Sequence, residues 1–319
     1  MNDRRAVYAA VFLMFFSSFI ELSTGNIPLR MVVSPLYLFL FLHYGVCSVL
    51  IREAIARWNQ GFASTLILGA AYGIFNESIT SGGFFDPAYY SVVDLGLAGF
   101  GRWGGVNVVW AVGLTLFHMI FSIAVPIVLT DALFPGTRGR LSNKTLVAGA
   151  ALLAVAFGLI RFAMRRMHAY QAGWTEWWMV VVIMITLVFL ARRLPPIALT
   201  QWDVRPHPFL LFACGFAGDF LFFFAQTGFR KAVVPDPALN IFFLLALVAF
   251  YGWLLLKLPE PPIRSKVALA AGIYSMPILA SLFAGRLIQA AIGVLVLAAA
   301  WIKTGEARHA GAVSLELES

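Results

Sequence analysis

Four ionisable side chains lie inside runs that are otherwise apolar: His43, Glu77, His118 and Asp219. An ionisable group at membrane depth is costly, so it faces protein and marks a candidate site. Glu77 and His118 suit acid–base catalysis, because a carboxyl and an imidazole are the groups most used to move a proton in a transition state. Gly69, Gly73, Glu77 and Ser81 recur every four residues and share one helix face, with Asn76 and Thr80 beside it. Gly69 and Gly73 form a GxxxG, which lets a neighbouring helix approach closely. Asn107, Thr115, His118 and Ser122 fall within about 80° of one another on a helix and make a polar stripe. Pro126 frees the backbone carbonyl of Ser122, an additional acceptor beside that stripe. Glu77 and His118 are therefore the candidate catalytic residues. Asn76, Asn107, Ser122, Asp219 and His43 are the candidate binding residues. The competing reading is that these groups only join helices by hydrogen bonds.

The same donors would suit a metal, but their scatter over four helices gives no ligand spacing, and none is expected. The sequence contains no Walker motif, GxSxG or HExxH. Gly99, Gly101, Gly104 and Gly105 follow no strand and read as a flexible loop, so no cofactor is expected either.

These residues must be positioned by membrane helices. The chain of 319 residues is 61% hydrophobic and 12% charged, against about 25% charged for soluble domains, and its mean hydropathy is +0.86. About 20 apolar residues cross the hydrocarbon core as a helix. Ten stretches qualify: 6–22, 31–51, 62–82, 106–130, 145–162, 174–191, 208–227, 238–256, 267–284 and 287–302. The last two are separated only by Gly285 and Arg286, so nine is the alternative count. The expected fold is an all-α, polytopic integral membrane helix bundle. It comprises one membrane domain over 1–302 and a short polar, mobile tail over 303–319. Arg4 and Arg5 precede the apolar run Ala6–Ile20 without a small-residue cleavage site, which reads as a retained first helix.

With the N-terminus inside, fifteen of the 23 Lys and Arg residues fall on inside segments, which predicts both termini in the cytoplasm of a cell-membrane protein. Arg161, Arg165 and Arg166 oppose that bias. The net charge of +8 suits anionic lipid, and no basic face outside the membrane points to nucleic acid. Cys47 and Cys214 lie in apolar spans and make no disulfide framework. The expected partners are membrane lipids and a small-molecule, lipid or peptide substrate. No motif is shared between the two halves of the chain. The 82–105 loop is rich in aromatics and poor in charge, and is expected to fold over the outer mouth of the third and fourth spans. Straight helices would leave Glu77 and His118 offset by roughly 10 Å along the axis.

The run Gly73-Ile-Phe-Asn76-Glu77, then Phe84-Phe-Asp-Pro87, Gly101-Arg-Trp-Gly-Gly-Val-Asn107, His118, Ser122-Ile, Pro126-Ile and Phe134-Pro resembles a group of uncharacterised multi-pass membrane proteins of prokaryotes and fungi. The resemblance covers residues 69–135 and implies a shared site without a named activity. The order Glu77, His118, His168 is more loosely similar to the glutamate-type intramembrane proteases of the CAAX-processing family. There a glutamate and histidines on separate helices activate water. The chain departs from that pattern with Asn76, Ser81, Leu114 and Ala172. Three functions remain open: an intramembrane hydrolase using Glu77 and His118, a proton-coupled secondary transporter in which Glu77, His118 and Asp219 line a path, and a non-catalytic scaffold.

Overall fold

The computed structural model describes residues 3–89, 96, 99–167, 170, 172–195, 206–226, 236–257 and 263–317. The fold is a helix bundle with one two-residue β-ribbon. Helix α1 (Arg4–Thr24) starts on Asp3, whose carboxylate accepts from Arg5 N, and stops at Gly25, where a positive φ ends it. Helix α2 (Pro35–Arg57) starts with Ser34 as cap and Pro35 in the first turn. Helix α3 runs Phe62–Ile74 and continues without a break as a π-helical turn, Phe75–Thr80. A loop and the ribbon β1 (Arg102–Trp103) and β2 (Val106–Asn107) lead into α4. That helix spans Val108–Leu133 and carries a second π-helical turn, His118–Ala124. Then follow α5 (Asn143–Met167), α6 (Trp174–Arg193), α7 (Pro208–Gln226) and α8 (Pro237–Lys257). Helix α9 (Ile263–Phe283) is interrupted at Tyr274, and α10 (Leu287–Leu317) closes the chain.

Among the described residues, nine helices are long and apolar enough to cross a membrane, which is the build of a multi-pass membrane protein. Helix α3 is the one left out of that set, and it is the helix that carries Asn76 and Glu77. A turn at Gly285, with φ +72, separates α9 from α10, so the last two apolar stretches are distinct helices. Helix α10 continues through the polar segment after residue 302 to Leu317.

Helices α3 and α4 lie antiparallel and in close contact. A Cβ added to Gly69 would come 3.1 Å from Met119 Cα, and one on Gly73 would come 2.9 Å from Thr115 Cα. The GxxxG thus serves helix packing, as its spacing suggests. Phe16, Phe19, Phe121, Leu129 and Tyr274 fill the core where α1, α4 and α9 meet.

One end of the bundle collects many of the cations. Arg140 lies 3.6 Å from Asp3, Gln60 donates to Arg192 O, and Arg57 donates to Leu141 O and to Asn143. At the other end Arg286 donates to Ser23 O. Arg161 is buried there, its guanidinium 5.7 Å from the Trp177 ring and beside Gly82. Arg161 is therefore folded into the protein and does not form an exposed basic face.

Candidate functional site

Glu77 and His118 meet at bonding distance, with Oε1 of Glu77 3.0 Å from Nε2 of His118. Straight helices would have held them apart by about 10 Å. The offset disappears for two reasons. The glycine face of α3 lets α4 come close, and α4 begins deep, with Asn107 fully buried and its N–H bonded to Phe84 O at 2.9 Å. Each of the two residues sits on a π-helical turn, a local widening that inserts one residue and is often found at functional sites.

Asn76 is the hub of the pocket. Its amide nitrogen lies 3.0 Å from Glu77 Oε1, 3.1 Å from His118 Nε2 and 3.4 Å from the Tyr44 hydroxyl. Its carbonyl oxygen is 2.8 Å from His43 Nε2. Since Oδ1 can only accept, His43 carries its proton on Nε2. On the far side, His118 Nδ1 is 3.0 Å from the Ser122 hydroxyl. Ser48 donates to the Ser122 carbonyl at 3.1 Å, the acceptor that Pro126 frees. Tyr72 packs its ring edge-on against His118.

These partners suit more than one protonation state. When Nε2–H of His118 donates to an ionised Glu77, Nδ1 accepts from the Ser122 hydroxyl. Adding one proton turns Nδ1 into a donor, and the same hydroxyl accepts from it, because a serine can do either. The Asn76 amide reaches Oε1 and Nε2 equally, so it serves whichever atom is the acceptor. The pair can take up one proton without losing a hydrogen bond.

The second carboxylate oxygen of Glu77, Oε2, has less around it. Among the described residues its hydrogen-bond partner is Ser81 at 3.4 Å. Gly83 passes directly over it, and a Cβ there would lie 3.3 Å from Oε2. Phe84, Phe85 and Tyr89 continue the cover and pack with Trp110 and Val180. The described part of the 82–105 loop thus folds over the site, as its aromatic content predicts. Positions 90–95 and 97–98 of that loop lie outside the described residues.

Of the residues singled out from sequence, Glu77, His118, Asn76, Ser122 and His43 come together. Two do not join them. Asn107 caps α4, its Oδ1 accepting from Trp110 N at 2.9 Å. Helical periodicity put it on the stripe, but it precedes the helix and points its side chain back at the first turn. Asp219 lies on α7 against the break in α9, accepting from Met276 N at 3.2 Å. His168 lies outside the described residues. Among the described residues no cluster of three His, Cys, Asp or Glu side chains is arranged to hold a metal.

Sequence reasoning missed Glu21, Tyr44, Asn26 and Ser48. The Tyr44 hydroxyl donates to Glu21 Oε1 at 2.8 Å, and Asn26 donates to Glu21 Oε2 at 3.0 Å. Glu21 is buried in the bundle and not at a free helix end. A signal existed: a carboxylate set against an apolar run that is itself short for a span, followed five residues later by an amide. No protein-family model, no curated protein and no solved structure matches this chain.

Proposed function

We propose that this multi-pass membrane protein is an intramembrane enzyme in which Glu77 and His118 form an acid–base pair, and that it hydrolyses a substrate drawn from the lipid phase. The observation that carries this reading is the 3.0 Å contact between the pair, held by partners that serve either protonation state. Glu77, through Oε2, takes a proton from water as its oxygen attacks the scissile carbonyl. The pair thereby holds one extra proton, which passes to His118 across the Oε1–Nε2 contact as His118 protonates the leaving group, so that both residues return to their starting states. Asn76 and Ser122 orient the two rather than react. The looser resemblance to glutamate-type intramembrane proteases is in keeping with this assignment.

Proton-coupled transport is the second reading. Two further buried carboxylates, Glu21 and Asp219, favour it. Asn76 argues against a continuous proton path. It stands between Glu77 and both Tyr44 and His43, and an amide side chain orients its neighbours without passing a proton on. We assign the cation-rich end of the bundle and both termini to the cytoplasm of a cell-membrane protein, following the charge bias.

One experiment separates the readings. Proteoliposomes made with total membrane lipid extract and membrane peptides are incubated in ¹⁸O-water. The hydrolase reading expects ¹⁸O in a new acid product with the wild-type protein and none with Glu77→Gln. Collapse of an imposed pH gradient, without isotope incorporation, would replace it with the carrier reading.

A further inference from the structure

A cleft of about 980 Å³ runs between α7, α9 and α10. Phe212, Phe216, Ile278, Val294 and Leu297 make its walls apolar. It follows α9 from Arg264 to Leu279, roughly 20 Å at 1.5 Å per residue. One leaflet of hydrocarbon is about 15 Å thick, so an acyl chain of that leaflet can lie along the cleft.

The charged and ionisable side chains of the cleft are sorted to one end. Arg264 lines it from the first turn of α9, and His207 from just before α7. This is the cation-rich end of the bundle, where Ile263 and Lys266 share a neighbouring cleft with Arg138. Deeper in, Ser275 donates its proton to Ala271 O at 2.8 Å and has none to offer. Among the described residues no carboxylate lines the cleft.

Both groups at the mouth are donors. Arg264 holds its guanidinium over the Trp301 ring, 4.1 Å from the centroid, and its Nε is buried without a hydrogen-bond partner among the described residues. A guanidinium stacked on a ring still presents its N–H edge to an oxyanion, and phosphate fits that fork. His207 Nδ1 accepts from Phe209 N at 3.2 Å, so its proton is on Nε2, a second donor. The N-terminus of α7 adds a partial positive charge beside it. A cation, a donor and a helix N-terminus suit a phosphate. Without a carboxylate, the mouth has nothing to pair with a choline or an ammonium. Anionic phospholipids populate the cytoplasmic leaflet, the side to which the cation-rich end is assigned.

We infer that this cleft binds an anionic phospholipid, with its phosphate on Arg264 and His207 and one acyl chain between α7, α9 and α10. None of its lining residues lies on α3 or α4, which carry Glu77 and His118.

The test uses the full chain in phosphatidylcholine nanodiscs doped with a diazirine-bearing phosphatidylglycerol, with labelled peptides located by mass spectrometry. The expected result is saturable labelling of α9 and α10, competed by unlabelled phosphatidylglycerol and not by inorganic phosphate. A phosphatidylcholine probe with the same chains should label these helices without saturating. Arg264→Gln should lower the apparent affinity for the phosphatidylglycerol probe by about tenfold, the loss of one charge-assisted hydrogen bond. Ala298→Phe narrows the cleft from an exposed position and should abolish saturable labelling. It keeps the test valid if Arg264→Gln does not fold. Equal labelling by the two probes, or unchanged affinity in either folded variant, would overturn the assignment. Full competition by inorganic phosphate would give the mouth to a soluble anion instead. Cross-links between two copies of the chain through α7 and α10, in place of lipid labelling, would give the cleft to a second copy. Because the readout is labelling, a failure here says nothing against Glu77 and His118.

Discussion

Helix α2 supports two buried polar clusters about two turns apart, and they are built on opposite principles. Toward the cation-rich end, Arg52 donates to Asp131 at 2.8 Å and to Thr137 at 2.9 Å. Next to it, Glu53 accepts from Gly139 N at 3.0 Å and Leu141 N at 3.2 Å. Arg138 also pairs with Asp131 at 2.7 Å. Guanidinium groups are permanently charged and are bound bidentately or by several acceptors. The cluster therefore has one state, and that state pins the 134–142 connection to the bundle. Toward the other end, His43, Tyr44 and Ser48 face Asn76, Glu77, His118 and Ser122. No permanent cation touches Glu77 among its described partners. Its neighbours are an imidazole, an amide and a hydroxyl, each of which can adapt to a change of proton. Burial alone does not distinguish a site from a structural clamp. The capacity of the partners to accept a second charge state does.

The comparison breaks most easily at the clamp. Arg52→Ala removes the buried cation and leaves Asp131 to Arg138 and Glu53 to Arg57, and loss of its charged hydrogen bonds should cost about 1.5–3 kcal/mol. Thermal unfolding in detergent should show that loss, together with faster proteolysis of the 134–142 connection. An unfolding midpoint equal to wild type would mean that the charges are not what holds this end.

The site should respond in the opposite way. Glu77→Gln keeps shape and hydrogen bonding but cannot exchange a proton. Hydrolysis measured by ¹⁸O incorporation should fall by about 10²–10⁴-fold, while unfolding stays within about 1 kcal/mol of wild type. Full activity in Glu77→Gln would end both the enzyme reading and the proton-coupled one. If stability falls as far as in Arg52→Ala, the pair is a second clamp.

Ser122→Ala sharpens the distinction. His118 Nδ1 loses the hydroxyl that serves it in both protonation states, a hydrogen bond of about 0.5–1.5 kcal/mol. The expected loss is about three- to tenfold in kcat with KM unchanged, and Ser122→Thr should restore it. A change in KM alone, or no rescue by threonine, would mean that Ser122 packs the helix rather than orients the histidine.

Much of the architecture was legible because lipid imposes a simple rule: long apolar runs become helices. Length and hydropathy located nine helices to within about six residues, but the last was expected to end at 302 with a mobile tail and instead runs to Leu317; the GxxxG on α3 correctly marked a close crossing with its neighbour. The offset of roughly 10 Å was wrong because it set the start of α4 at the edge of the span, whereas Asn107 is buried and its N–H bonds Phe84 O. The π-helical turns at Phe75–Thr80 and His118–Ala124 leave no sequence signature of their own. Asn76 was legible as a neighbour of Glu77, but its role as hub depends on two other helices, α2 and α4, meeting α3 there. Glu21 was passed over because a carboxylate that ends an apolar run reads as a helix terminus in water. Here the chain after it folds back, and Ile27 N donates to Glu21 O at 3.0 Å.

The smallest expected effect concerns Asn107, which periodicity grouped with His118 and the structure separates from it. Its side chain caps α4 through Trp110 N, and its backbone N–H bonds Phe84 O. Asn107→Ala removes the first of these bonds and keeps the second, so the connection beneath the 82–105 loop survives. Loss of such a cap costs about 1 kcal/mol. Detergent unfolding of Asn107→Ala should show that decrement, and Asn107→Ser, which caps equally well, should not. Isotope incorporation per folded molecule should be unchanged in both variants, since the bond removed is the one to Trp110 N and the backbone bond to Phe84 O is kept. The opposite pattern, intact stability with lost turnover in Asn107→Ala, would extend the site along the whole face of α4 and return Asn107 to it.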